Sequence, residues 1–238
     1  MSTVLEIRAL TKRLYAGVSG CTATVLALTN VWLRLDAGER VAVCGPRGAG
    51  KSVLLLCAAG LLRPDGGRVR VEGAAAFVGA EPPSLGGLTV HELLEWRRRS
   101  LLAAGGDVPM TALAALCLTG CEALATVRVR LLEPEAARRV AVARALLSRP
   151  SVLVVDGPSG TPSVDWISME RTLARIADAG VGVLCCPPAA TRLPSTMRAI
   201  WLAAPYRALE RGRRDPRDGR GGGTPAASRR AVAERAPR

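Results

Sequence analysis

Glutamine is absent from this 238-residue chain, lysine occurs only at positions 12 and 51, and the single histidine is His91. Each shortage excludes something. Aromatic residues make up 3% of the chain, so a core must be built mostly from Leu, Val and Ala, for which a hydrophobic content of 49% is ample. No run approaches the roughly 18 apolar residues of a membrane-spanning helix, and the first residues lack the basic-then-apolar layout of a secretory signal. Seven cysteines stand at 21, 44, 57, 117, 121, 185 and 186. Cys117 and Cys121 have the spacing of one helix face, but no second Cys or His pair accompanies them as a structural zinc site requires. Buried thiols in a reducing compartment are expected instead.

The charge balance is one-sided, with 33 basic against 20 acidic residues and a formal net charge of +13. Residues 207–238 hold ten arginines and four acids, so much of the excess lies in a Gly/Arg/Asp-rich tail without apolar periodicity. Such a tail is expected to be disordered and solvated. Contact with lipid headgroups is the second reading of it, and nucleic acid is not expected as a partner. His91 is expected to be an exposed residue with no chemical role.

Against this background one stretch stands out. Gly45-Pro46-Arg47-Gly48-Ala49-Gly50-Lys51-Ser52 matches the phosphate-binding pattern G-x-x-x-x-G-K-[ST] at every fixed position. The glycines allow a tight turn that brings backbone N–H groups to phosphate oxygens. Lys51 supplies a compact charge for the β- and γ-phosphates, and the Ser52 hydroxyl can ligate Mg²⁺. The apolar strand Arg40–Cys44 leads in and an apolar helix from Ser52 leads out, which aims the helix dipole at the anion. Among 33 basic residues, a lysine is kept where this loop needs one.

The remaining pattern is α/β. Val4–Arg8 alternates like an edge strand, and Thr24–Leu28 with Val31–Leu35 reads as a strand pair. Arg63–Gly67 is a turn cluster followed by the alternating strand Arg68–Glu72. Residues from about 88 to 145 read as helical, including the long run from Glu135 to Leu147. Glu170–Ala179 is a further helix. Val152–Asp156 and Val181–Cys186 are buried strands, and Ala199–Leu202 is the last. An apolar strand ending in Asp156, about a hundred residues after a phosphate loop, supplies the carboxylate that helps hold Mg²⁺ in phosphoryl-transfer sites.

Together these segments resemble the ATP-binding subunit of an ATP-binding cassette (ABC) transporter. The features that carry the resemblance are Asp36–Val43 before the loop, Gly60-Leu61-Leu62-Arg63-Pro64-Asp65-Gly66-Gly67, Leu88–Leu94, and Arg139–Pro150. The resemblance implies a P-loop NTPase fold with an antiparallel β portion, spanning residues 1–209, with a helical subdomain at about 82–147 and the basic tail at 210–238. It implies ATP and Mg²⁺ as cofactors, held by Gly45 through Val53 and by Asp156, with Ser52 and Asp156 as the metal ligands. Tyr15 would sit where an aromatic stacks on adenine, although an ordinary surface or core tyrosine is an equal reading. The implied partners are a membrane-spanning permease and a second cassette, identical or not. The implied location is cytoplasmic, on the inner face of the cell membrane.

The departures from the family pattern bear on catalysis. The catalytic Glu should follow Asp156, where Gly157 stands. The Mg²⁺-sensing Gln should fall near Ala80 or Glu81, and the chain has none. The γ-phosphate histidine should follow Cys186, where Pro187 and Pro188 stand. The signature LSGGQ aligns with Leu132-Glu133-Pro134-Glu135-Ala136, which would turn two carboxylates toward a triphosphate. Thr161-Pro162-Ser163 replaces the usual Gly-Leu-Asp. No residue is therefore assigned a catalytic role. Three readings remain open: a cassette that binds ATP without hydrolysing it briskly, a slow transport ATPase whose base comes from a residue such as Asp165 or from a partner, and a regulatory P-loop protein outside transport. In all three Lys51→Ala abolishes nucleotide binding and leaves the fold intact. Equilibrium titration with ATP tests this, and an unchanged affinity would refute the site.

Overall fold

A computed structural model describes residues 2–18, 21–79, 87–157, 165–188 and 191–203. A five-stranded parallel sheet forms the centre, in the order β5-β6-β7-β3-β8. Its strands are β3 (Arg40–Cys44), β5 (Ala75–Val78), β6 (Val152–Asp156), β7 (Gly182–Cys186) and β8 (Arg198–Trp201). The three middle strands are nearly continuous apolar runs because both faces of the sheet are covered. One face packs on α1 (Lys51–Ala58) and on a separate antiparallel sheet. The other packs on α4 (Pro134–Leu146) and α5 (Asp165–Asp178) through Val142, Leu146, Met169, Leu173 and Ile176.

The antiparallel sheet has the order β2-β1-β4, from β1 (Thr3–Val18), β2 (Cys21–Asp36) and β4 (Gly66–Val71). Two expectations need correction here. Val4–Arg8 belongs to the central strand of this sheet, paired on both sides, and is not an edge. Thr24–Leu28 and Val31–Leu35 are parts of one strand and not a pair. The reason is a pair of facing irregularities at Ala9 (φ 51) and Asn30 (φ 51), where the register shifts. The extra residues reset the in–out alternation, so Ile7 and Leu10 both point inward, as do Leu28 and Val31. A simple period of two breaks at such bulges, and the sequence reads as two short strands.

Within residues 87–147, α2 (Val90–Ala103), α3 (Ala112–Thr119) and α4 pack around a core of Leu93, Leu94, Leu116, Val140 and Leu147. Helix α4 contributes to both this core and that of the parallel sheet, so it fixes one to the other. The start of α2 is held by a capping box. The Thr89 backbone N–H donates to Glu92 at 2.8 Å, and the Glu92 N–H donates to Thr89 Oγ1 at 3.2 Å. The Thr89 N–H, and then the Thr89 hydroxyl at 2.9 Å, donate to the Glu92 carboxylate and hold it below the ordinary carboxylate range. Thr111 caps α3 in the same way, and Gly120 ends it in the left-handed conformation (φ 64). Cys121 therefore lies beyond α3 and is buried, whereas Cys117 on the helix is exposed. The expected shared helix face for these two thiols is not formed. Strand β5 is also new. Ala75-Ala76-Phe77-Val78 is too short and alanine-rich to announce itself, and pairing with β6 makes it a strand.

Where the two sheets meet, Gly182 at the start of β7 has no room for a side chain. A Cβ there would stand 2.7 Å from Val4 Cγ2 and 3.1 Å from the Asp36 carbonyl oxygen. Gly182→Val should therefore destabilise the chain by about 1–3 kcal/mol, the usual cost of overpacking. Urea unfolding reads this directly, and a change below about 0.5 kcal/mol, the range of an ordinary surface substitution, would contradict the close packing of the sheets.

Candidate functional site

Strands β3, β6 and β7 end side by side, and every site residue of the central sheet stands at or just beyond those ends. Cys44 closes β3, and the loop Gly45–Gly50 follows. Pro46, Arg47 and Gly48 form its exposed crest, while Ala49 is buried beneath it and Val53 is half-buried on α1. Two glycines are required on steric grounds. Gly45 (φ 144) would place a Cβ 2.5 Å from the Leu202 carbonyl oxygen, and Gly50 (φ 86) would overlap the Ala27 carbonyl oxygen. Gly48 (φ 81) has open space beyond it.

Helix α1 begins at Gly50 with no side-chain cap, as α4 does at Glu133, whereas Thr89 and Thr111 cap α2 and α3. The first amides of a helix have no intrahelical acceptor, so this end suits an external anion. Lys51 folds over the loop, its Nζ donating to the carbonyl oxygens of Gly45 and Pro46, each at 2.9 Å. The other lysine has a different task. Lys12 Nζ binds Asp65 at 2.9 Å, and Asp65 also accepts from the Arg13 N–H at 2.6 Å. Those bonds lower the Asp65 carboxyl below its ordinary range and pin the turn before β4.

Asp156 reaches the same point from β6. Burial raises its carboxyl above the ordinary range, opposed by a hydrogen bond from Ser52 and by the charge of Lys51. Ser52, Asp156 and Lys51 are thus assembled from elements over a hundred residues apart in sequence. A hydroxyl bonded to a carboxylate, beside an uncapped helix start, fits Mg²⁺ with a polyphosphate. The hard oxygen donors are those this ion takes, and it keeps its remaining positions for water and phosphate. The thiols around the site are not reactive. Burial, and then the Asp156 charge, pushes Cys186 up to about 11, while burial raises Cys44 and Cys185 as well.

The position after Asp156 is closed. Gly157 N–H donates to the Cys186 carbonyl oxygen at 3.0 Å, the bond that completes the last β6–β7 pair, Asp156 ↔ Cys186. A Cβ on Gly157 would overlap that same carbonyl oxygen and stand 3.3 Å from Cζ3 of Trp166. Pro187 and Pro188 are buried directly after β7. At the segment aligned with the signature, Pro134 opens α4, and Glu135 pairs with Arg139 one turn along its own helix at 3.5 Å. Of the two carboxylates expected to face a triphosphate, Glu135 thus has a cationic neighbour on its own helix and Glu133 is exposed. His91 is exposed, as expected. The Tyr15 side chain, Ala80 and Glu81, Thr161–Ser163, the Asp165 side chain and the tail at 210–238 lie outside the described residues.

Comparison with known proteins agrees with this architecture. The family model described as ABC transporter matches residues 28–100. The chain is 38% identical over 152 residues to the cytochrome c biogenesis ATP-binding export protein CcmA of Gluconobacter oxydans, covering 64% of this chain and 68% of that one. It is 32% identical over 202 residues to CcmA of Pseudomonas syringae, covering 76% and 94%. It is 39% identical over 164 residues to the zinc import ATP-binding protein ZnuC of Paramagnetospirillum magneticum, covering 67% of this chain and 61% of that longer relative. Among solved structures, the dimer of a bacterial ABC transporter cassette is similar with a TM-score of 0.65 and 24% identity, covering 87% of this chain and 97% of that one.

The assembled trio makes a distinct demand on the metal. In Asp156→Asn, nucleotide affinity should lose its dependence on added Mg²⁺ while binding without the metal persists. Titration with ATP in Mg²⁺ and in chelator checks this, and a retained Mg²⁺ effect would remove Asp156 from the site.

Proposed function

Because the chain belongs to the ABC transporter family of ATP-binding subunits, we propose that it binds Mg-ATP at the Gly45–Ser52 loop and hydrolyses it slowly or not at all. The binding half of this reading is supported by the convergence of Lys51, Ser52 and Asp156. The loop amides and Lys51 take the β- and γ-phosphates, and Ser52 and Asp156 hold the metal. Bound Mg²⁺ supplies charge neutralisation across the phosphates.

The observation that carries the catalytic half is the closure of position 157. The family's general base belongs there, and here the Cys186 carbonyl oxygen and Trp166 occupy the room a side chain would need. Loss of a general base costs about 10²–10⁴ in rate, and the missing charge stabilisation at the γ-phosphate adds to that cost. The exposed Ser52 and the open space beyond Gly48 remain suited to binding.

The partners follow from the family. We assign this chain to the cytoplasmic face of a membrane, docked on a membrane-spanning permease and paired with a second cassette, identical or not. The matched relatives differ in cargo by name, which agrees with substrate choice residing in the membrane subunit. A cleft of about 450 Å³ lies between the edge strand β5 and helices α2 and α4, flanked by Leu61 (63% exposed) and Trp96 (57% exposed). Its apolar rim and its Arg97 and Arg144 suit a protein partner better than solvent.

The experiment is ATP binding and steady-state hydrolysis by the purified chain, with Gly157→Glu beside it. Binding without turnover is expected in both. Because a side chain at 157 must displace the end of β7, Gly157→Glu should also lower stability, by about 1–3 kcal/mol. Turnover of the substituted chain at about 1 s⁻¹, the low end of phosphoryl-transfer rates, would show that only the base was missing and would overturn the account of a closed site.

A further inference from the structure

Helix α5 is amphipathic, with Met169, Leu173 and Ile176 buried against the parallel sheet, yet Ile167 in its first turn is 59% exposed. Ile167 lines a cavity of about 420 Å³ between α5 and residues 191–194, together with Leu193 and Pro194. That volume is within the usual range for small-ligand sites, about 300–1,000 Å³. Two polar features distinguish it from a bare apolar patch.

The first is Trp166, which lines the cavity at 5% exposure and whose Nε1 is buried with no hydrogen-bond acceptor. A buried indole N–H loses its hydration and normally gains an acceptor in return. The second is Arg192, exposed on the rim and in no ion pair with any described residue. The other charged group of the wall, Glu170, is already held by Arg40 at 2.6 Å. The cavity therefore offers an apolar wall and one unused cation, with the indole N–H of Trp166 sealed beneath its surface.

We propose that this cavity binds a small carboxylate with an apolar body, its chain against Ile167, Leu193 and Pro194 and its oxygens toward Arg192. This site is separate from the nucleotide loop and goes beyond the function proposed above. It has a route to that loop, because the Trp166 ring packs over Gly157, the residue after Asp156. An occupant pressing on Trp166 acts on the residue next to a metal ligand, so the two sites are coupled.

The test is titration of the whole chain with 8-anilinonaphthalene-1-sulfonate, a fluorescent apolar anion, followed by displacement with decanoate or decanol. One probe per chain is expected, displaced by decanoate and not by decanol. Ile167→Glu and Arg192→Glu, both at exposed positions, should each weaken the probe by about tenfold or more, the scale of a lost charged contact. Saturating decanoate should shift the Mg-ATP affinity, whereas Lys51→Ala should lose ATP and keep the probe, which separates this site from the nucleotide reading. Unchanged probe affinity in both exposed variants, equal displacement by decanol, or loss of probe binding in step with dimerisation in sedimentation would overturn the proposal. The last outcome would mean that a second copy covers this face.

Discussion

The parallel pairing of β6 with β7 is completed by the backbone N–H of Gly157, and that last bond governs the site. Asp156 lies opposite Cys186, and Gly157 then donates to the Cys186 carbonyl. The same register that carries the Asp156 carboxylate to Ser52 brings a backbone oxygen against the Cα of the next residue. In the proposed function, binding and slow turnover are two consequences of one hydrogen-bonded ladder. The ladder sets Asp156 at the site, and a side chain at 157 requires the Cys186 carbonyl to shift.

Energetically, the two halves of phosphoryl transfer separate cleanly here. Holding a triphosphate rests on backbone amides, a lysine and a metal, which are electrostatic and preorganised. Moving the phosphoryl group to water also needs a group that orients the nucleophile. The loop geometry of the first survives in detail, down to two glycines whose Cβ positions are filled by the carbonyls of Leu202 and Ala27. The second has lost its acceptor at 157, and two buried prolines stand where an imidazole is expected. Helix α4 packs into both the core of the parallel sheet and the core of the helices within residues 87–147.

Much of this was legible in the residues. The phosphate loop, the strand ending at Asp156 and the buried runs at 40–44 and 182–186 all announce themselves by local pattern, because parallel strands covered on both faces must be apolar throughout. The bulges at Ala9 and Asn30 were not legible, since nothing in the local sequence marks a residue that will adopt φ 51 in response to its partner strand. Strand β5 was missed for a related reason, as only the β6 edge makes it extended. The presence of Gly157 could be read directly, but its confinement could not. That depends on Cys186 and Trp166, which are distant in sequence and meet only through the register. The ion pair between Glu135 and Arg139 could have been found from its i, i+4 spacing on a helix.

The most direct measurement of the central claim is the chemical state of the nucleotide that the chain retains. The purified chain is incubated with radiolabelled Mg-ATP, separated from free nucleotide, and the bound fraction is analysed. The account predicts that the label is recovered as intact ATP. Recovery as ADP, dependent on Lys51, would contradict it and would mean that a base acts at this site despite the closure of position 157.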